Sequence, residues 1–392
     1  MDDSSVLSFA PRPQRPSRPT ASAHATIPPA VASRPVDISV IMPTIFWSGT
    51  FERCGQRLLA VVDAGKISAE IVFAFDGEAP PPPDWLDHPG VSVVQTGARL
   101  GPAAARNRAA EAASGRILMF VDADVELAAD AIERIHAAFE ADPDLVGIFG
   151  TYDDDPPGNG VASAFRNLLH HHTHTSNPGR AGTFWAGCGA IRTAEFLDIG
   201  GFEEAYAFPS VEDIELGMRV TAAGGRIVLD PTIRCKHLKQ WTMASMIFTD
   251  IVHRATPWTH LIIKSRSLPA TLNLDWRSRF SGICSVLLLV CLAAAPFAAP
   301  MAWLALACGL AVLVMNIDFY RLCRNKRGTG FAISAVMLHW LYFAYSFLTF
   351  GLIAARELWV DFSRTSPCPS RSATIAMSLA PQATHEQPRV GR

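Results

Sequence analysis

The sequence predicts an α/β protein: a mixed, mostly parallel sheet with helices on both faces, followed by C-terminal helices apolar enough to enter a membrane. Three observations carry this. Short apolar runs alternate with helical patterns from Asp37 to Val121 at βαβ spacing. Residues 280 to 317 contain no charged side chain. Finally, 49% of the 392 residues are hydrophobic and the mean hydropathy is +0.19, which is high for a wholly soluble chain.

Residues 1–35 are rich in Pro, Ser, Ala and Arg and lack an apolar run, so they are expected to be disordered, without a signal peptide. Asp37 to Thr44 reads as a buried strand and Arg53 to Val62 as a helix; Glu70 to Phe75 is a second strand, ending at Asp76-Gly77. Val91 to Gln95 is a third strand, Pro102 to Ala113 an Ala-rich helix, and Ile117 to Val121 a fourth strand. Asp130 to Glu140 is helical. Leu145 to Thr151 and Phe184 to Ile191 are strands, and Val211 to Ala223 is a helix stopped by Gly224-Gly225. The folded domain is thus expected over 36–240.

Between Arg234 and Arg279 eight Lys and Arg stand against Asp250 and Asp275, a net of +6. Immediately before an apolar region, this makes 241–279 an expected interfacial segment resting on anionic headgroups. One helix through 280–317 would measure roughly 55 Å against a hydrocarbon core of about 30 Å, so the chain must turn, and Pro296 to Pro300 is the place. Spans are expected near 280–296, 300–318 and Phe331–Ala355, a membrane region of 280–355, with a disordered tail over 356–392. Arg321, Arg324, Lys326 and Arg327 between the last two place that connector, and with it the folded domain, on the cytoplasmic side of the cell (inner) membrane. The number of full crossings stays open.

The formal net charge of −2 gives no argument for a nucleic-acid partner. Eight cysteines lack C-x-x-C spacing and read as reduced, structural residues. A first strand leading to Met42-Pro43-Thr44 instead of G-x-G-x-x-G disfavours a dinucleotide-dependent dehydrogenase.

The most informative stretch is Arg116 to Glu126, where an apolar strand empties into Asp122-Ala123-Asp124. Carboxylates two apart in extended chain point the same way, and two hard oxygen ligands at a strand's carboxyl end can hold Mg²⁺ or Mn²⁺ against phosphate oxygens. The plainer reading is a capped turn starting the next helix.

From Ile38 to about Trp241, roughly half the chain, the order of motifs resembles family 2 of the inverting glycosyltransferases, which use a GT-A fold to bind nucleotide sugars. The motifs are Val40-Ile41-Met42-Pro43-Thr44, Phe75-Asp76-Gly77, Arg99-Leu100-Gly101-Pro102 running to Arg106-Asn107, Asp122-Ala123-Asp124, Gly200-Gly201-Phe202, and Val211-Glu212-Asp213-Ile214. The resemblance implies that Asp124 holds the metal, and that Asp122 does so directly or through ribose and water. It implies that Asp76 meets the base of the nucleotide, although many relatives carry paired aspartates where this chain has Phe75-Asp76. Thr44, Arg106 and Asn107 would line the nucleotide-sugar site. Arg99 is a phosphate contact or a solvated residue. Asp213, with Glu212 beside it, is the expected base that takes the acceptor's proton. His237 would complete the metal shell or touch the diphosphate, and Trp241 and Trp185 would meet the acceptor.

The Gln-x-x-Arg-Trp motif of polymerising relatives is absent, which disfavours a processive polysaccharide synthase. The expected activity is transfer of one sugar to a lipid or other hydrophobic acceptor at the membrane. A catalytically silent, nucleotide-binding membrane scaffold is the alternative of another class, and the intact Asp122, Asp124 and Asp213 argue against it. His170, His171, His172 and His174 resemble a metal cluster, yet side chains one residue apart on a helix diverge, so a cleft-lining role is the better expectation.

Overall fold

The computed structural model describes residues 36–158, 160–206, 208–266 and 272–365. The expectations for 1–35 and for most of the tail lie outside them.

The first half is built as expected. Strand β1 (Ile38–Thr44) is followed by α1 (Gly49–Ala64), β2 (Ala69–Phe75), β3 (Val91–Gln95), α2 (Pro102–Ala112) and β4 (Ile117–Val121). Then come β5 (Val125–Leu127), α3 (Ala131–Ala141), β6 (Leu145–Tyr152), α4 (Val161–Thr175), β7 (Gly179–Ala181), β8 (Cys188–Arg192), α5 (Thr193–Asp198), α6 (Glu212–Ala222) and β9 (Arg226–His237). These strands form one sheet in the order β3-β2-β1-β4-β8-β6-β9-β5, with β7 also on β9. β1, β2, β3, β4, β6 and β9 run one way, whereas β8, β5 and β7 run against them. The strand expected over Phe184–Ile191 begins only at Cys188, because residues 184–187 turn into the cleft.

Period-two alternation splits the apolar residues between two faces. Val40, Met42, Phe73 and Met119 pack with Phe51 and Leu58 of α1 and Ile135 and Phe139 of α3. Ile41, Val72, Leu118 and Phe120 pack with the alanines of α2, Phe196 of α5 and Leu216 of α6. Alanine suits α2 because a small side chain lets the helix lie close on the sheet.

The basic segment is more ordered than a surface apron. It folds as α7 (Met243–Phe248), a π-helical turn over Thr249–Ala255, and α8 (Thr256–Ser265). The apolar part comprises α9 (Trp276–Ala294), α10 (Ala299–Met315) and α11 (Ile317–Thr365), the last broken at Gly328, whose φ is +82°. The turn between α9 and α10 falls at the expected prolines. Two of the three, Trp276–Ala294 and Ile317–Val360, are long and apolar enough to cross a membrane, and Ala299–Met315 is a shorter apolar helix. The connector expected between spans is the first part of α11, and the tail expected from 356 continues as helix to Thr365.

α11 is joined to the sheet domain. Phe165, Leu168 and Leu169 of α4 share a core with Phe319, Tyr320 and Cys323 of α11. Beside it, Lys326 Nζ lies 2.6 Å from Asp154, and Arg327 donates to the carbonyls of Pro156 at 2.6 Å and Gly158 at 3.0 Å. Seven cysteines are described, and all are free and buried; Cys368 lies outside the described residues.

Candidate active site

The carboxyl ends of β1, β2 and β4 open on a cavity of about 1170 Å³. Of the residues singled out from the sequence, it is lined by Thr44, Asp76, Arg99, Arg106, Asp122, Asp124, Trp185, Glu212, Asp213, His237 and Trp241. Asn107 is not among them. Its Nδ2 donates to the Phe202 carbonyl at 2.9 Å and to Glu204 at 3.0 Å, and its Oδ1 accepts from Phe202 N–H at 2.8 Å. Both ends of the amide are spent holding the Gly200-Gly201-Phe202 turn, so the expectation of a nucleotide contact is corrected to a turn-holding role.

Arg106 ties the centre together. Its Nη1 donates to Glu212 at 2.9 Å and its Nη2 to Asp122 at 2.7 Å, with the side chain only 6% exposed. Glu212 also accepts from Ser210 N–H at 2.8 Å, so each of its oxygens has a partner. Asp213, its neighbour on α6, faces the cavity. Its Oδ2 accepts the Ala186 backbone N–H at 3.1 Å and its Oδ1 that of Ile214 at 2.8 Å. α6 comes close enough for this contact because residue 217 is glycine: a Cβ there would overlap the backbone of Thr183 and Phe184. Burial, reinforced by the charge of Glu212 and opposed by the Ala186 N–H, pushes the Asp213 carboxyl up to about 7.

The two strand-end aspartates differ. Desolvation raises Asp122 against the pull of Arg106, with Asp124 adding to the rise. Burial would also raise Asp124, but the hydrogen bond and charge of His237 and the charge of Lys239 outweigh it and hold this carboxyl below its ordinary value. His237 Nε2 stands 3.5 Å from Asp124 Oδ2, while its Nδ1 lies 2.9 Å from Asn167 Oδ1. With Asn167 Oδ1 accepting from Nδ1, Nε2 either donates to Asp124, the contact that holds this carboxyl low, or offers its lone pair to a cation that takes the place of that proton. The residues therefore fit a divalent cation. Among the described residues no group of three His, Cys, Asp or Glu is assembled for a metal, so the remaining ligands would have to come from donor phosphates and water.

At the carboxyl end of β2 the cavity is shaped by Asp76. Its Oδ1 accepts from Leu100 N–H at 2.8 Å and Thr96 Oγ1 at 3.2 Å, and its Oδ2 from Gly101 N–H at 3.0 Å. Gly101 caps α2 at a φ of +100°, which a side chain would strain. Asp76 is 5% exposed and its carboxylate is committed to this loop. Arg99 lies over the Phe46 ring, 5.0 Å from the centroid, and Thr44 Oγ1 donates to the Phe46 carbonyl at 2.8 Å.

Residues 39–198 match the model of glycosyl transferase family 2. That match covers 160 of the 392 residues, from β1 to the end of α5. The chain is also 25% identical to N-acetylgalactosaminyltransferase 7 of Drosophila melanogaster over 170 residues, 38% of this chain and 29% of that protein. It is 25% identical to the inactive polypeptide N-acetylgalactosaminyltransferase-like protein 5 of Macaca fascicularis over 191 residues, 44% of this chain and 43% of that one. The chain thus spans less than half the length of these curated relatives. Similar solved structures include GalNAc-T7 with UDP, GalNAc and Mn²⁺ (18% identity, TM-score 0.40, 53% of this chain and 44% of that chain) and the mannosyltransferase PcManGT of Pyrobaculum calidifontis with GDP-Man and Mn²⁺ (17% identity, TM-score 0.48, 84% and 88%).

The cavity wall beside His237 also holds Tyr152, which no sequence motif marked. Tyr152 stacks on His237 at 4.5 Å and meets Trp185 edge-on at 5.0 Å. His170 packs against both Tyr152 and Trp185 and lines the cavity, its buried Nδ1 without a hydrogen-bond partner. His174 stays with His170, their ring centroids 3.9 Å apart, and lines the cavity while its Nδ1 meets the Gly150 carbonyl; His171 Nδ1 meets the Tyr152 carbonyl and His172 rests on Phe319. Trp241 is 7% exposed, with Lys239 over its ring at 4.3 Å. Asn167, the partner of His237, has no motif that would have revealed it.

Proposed function

We propose that the chain is an inverting, metal-dependent glycosyltransferase that moves a single sugar from a nucleotide-sugar donor to an amphiphilic acceptor, a lipid or other hydrophobic alcohol, at the cytoplasmic face of a membrane. One observation carries this reading: the cavity that begins at Asp122, Asp124 and Asp213 continues without interruption to Trp276 and Ile283 of α9 and Phe347 and Phe350 of α11. A soluble acceptor would not need a reaction cleft that ends among apolar helices.

The residues divide the chemistry. Asp124 and His237, with Asp122 behind them, would hold Mn²⁺ or Mg²⁺, which when bound neutralises charge on the departing diphosphate. Arg106 keeps Asp122 oriented. Asp213 takes the proton from the acceptor hydroxyl as its oxygen attacks the anomeric carbon; the bond from that carbon to the diphosphate oxygen breaks, and the nucleoside diphosphate leaves with the bonding pair. A single displacement by a base-activated hydroxyl inverts the anomeric configuration. A carboxyl near 7 suits this role, since it is largely ionised at cellular pH and still basic enough to accept a proton.

The membrane part of the proposal rests on exposed apolar side chains along the last helices. Leu289, Val290, Phe297, Trp303, Val314 and Leu352 are each 49 to 91% exposed, a surface that water would not tolerate over such an area. Lys326 and Arg327 reach the sheet domain, so the positive connector and the cleft lie on one side.

The test is a screen of the detergent-solubilised full chain against a panel of nucleotide sugars, with and without Mn²⁺, followed by determination of the product's anomeric configuration. Metal-dependent donor consumption with inversion is expected. Retention of configuration, or consumption indifferent to chelator, would overturn the reading.

A further inference from the structure

The cavity is electrically polarised along its length. At the sheet end Asp76, Asp122, Asp124, Glu212 and Asp213 outnumber Arg99, Arg106 and Lys239; further along, among the described lining residues, Asp250 is the carboxylate that faces both Arg166 and Arg254. A donor diphosphate with its cation answers the first excess. Nothing in donor chemistry answers the second.

That second excess is concentrated on one carboxylate. Arg166 reaches Asp250 Oδ1 at 2.8 Å, and Arg254 approaches the same oxygen at 3.6 Å. Tyr345 of α11 donates to the other oxygen at 2.6 Å, so one carboxylate is divided among a tyrosine and two arginines. The Asp250 and Arg166 side chains are 4% and 12% exposed, whereas that of Arg254 is 44% exposed and lines the cavity. Two guanidiniums sharing one desolvated carboxylate leave a net positive charge where charge is expensive, and an incoming anion would relieve it with bidentate hydrogen bonds. The π-helical turn is what brings Asp250 and Arg254 to this wall together.

The position is equally specific. Ser210 Oγ donates to the carbonyl of His253, next to Arg254, at 3.1 Å, and Ser210 N–H donates to Glu212 at 2.8 Å. The arginine pair therefore adjoins the carboxylates that flank the reacting hydroxyl. Trp258, Phe343 and Phe347 line the same cavity.

We propose that the acceptor is an anionic amphiphile: a molecule whose phosphate or similar anion is held by Arg254 and Arg166, whose neighbouring hydroxyl is presented to Asp213, and whose apolar chain runs toward Phe347. This rests on the transferase reading above and adds the charge class of the substrate. The hydroxyl and the anion are separate groups, because an already ionised phosphate oxygen would need no base.

The experiment uses the full chain in neutral detergent with two single-chain amphiphiles of equal acyl length. Lysophosphatidic acid carries a hydroxyl beside a phosphate; monoacylglycerol carries hydroxyls alone. Lysophosphatidic acid should raise the thermal midpoint of the wild-type protein and accelerate donor consumption at least ~10-fold more than monoacylglycerol does, and Arg254→Gln should erase both preferences. Equal effects of the two amphiphiles on the wild type, or a preference that survives in Arg254→Gln, would overturn the proposal. Arginine-dependent stabilisation in a protein that consumes no donor would leave the headgroup site standing and sink the transferase reading; metal-dependent donor consumption with no headgroup preference would do the reverse.

Discussion

The backbone N–H of Ala186 donates to Asp213 Oδ2 at 3.1 Å, fixing the carboxylate by a loop and leaving its reactivity to burial. The hydrogen bond favours the ionised form, and desolvation beside Glu212 outweighs it, so the group is raised to about 7. Only the ionised form accepts a proton. Transfer should therefore fall with decreasing pH through about 7 and reach a plateau above it. Asp213→Asn should abolish that inflection, lower transfer by roughly 10²-fold or more and leave donor affinity intact. Rate–pH profiles and donor titrations on both proteins check this, and a variant keeping most of the wild-type rate would move the role elsewhere.

Asp124→Ala should remove metal-dependent donor binding, since it takes away the carboxylate that faces His237 Nε2. Asn167→Ala makes a finer test. Its amide orients the imidazole from behind without facing the cavity, so metal affinity should weaken on the order of 10- to 100-fold while donor chemistry at saturating Mn²⁺ recovers. Calorimetric Mn²⁺ titration distinguishes the two variants; wild-type affinity in Asn167→Ala would remove His237 from the proposed shell.

Arg106→Met should be costly to the fold as well as to activity. It leaves Glu212 and Asp122 without their shared partner in a buried setting, where breaking one side of an ion pair costs about 3–5 kcal/mol. A large fall in the thermal midpoint is expected. A midpoint within a degree or two of wild type would show that water reaches these carboxylates.

Truncation after residue 279 should not release a well-behaved soluble domain. Phe165 and Leu168 of α4 are fully buried against α11, and re-exposing each costs about 1.5–3 kcal/mol. The shortened chain is expected to aggregate or lose its cooperative melt, read by size exclusion and scanning calorimetry. A monodisperse, cooperatively melting product would mean that the sheet domain is independent of its helices.

Most of the sheet was legible because its signals are local: apolar runs of five to seven residues ending at Asp or Gly, with an Ala-rich helix between them. The antiparallel β8 and the long β9 were harder, since direction is set by distant pairing that no local pattern records. At the site, Asp122, Asp124 and Asp213 stood out through motif spacing. Asn107 misled, because a polar residue on a motif helix can face the cleft or the turn behind it with the same sequence. Arg166 and Asp250 were invisible for a physical reason: 84 residues apart, they become partners only when the π-helical turn meets α4.

The clasp of Lys326 and Arg327 on residues 154–158 has a consequence for reach. The sheet domain cannot swing freely on a tether, because the helix that would enter the bilayer is gripped at its start by the loop after β6 and again, through Tyr345 and Asp250, beside the cleft. The two grips, one on each side of the break at Gly328, set an altitude. With those helices in a bilayer, Asp213 would stand at a constant height above the lipid plane, and the protein would act as a gauge, selecting molecules by how far their hydroxyl projects from the surface before any contact with the sugar is made.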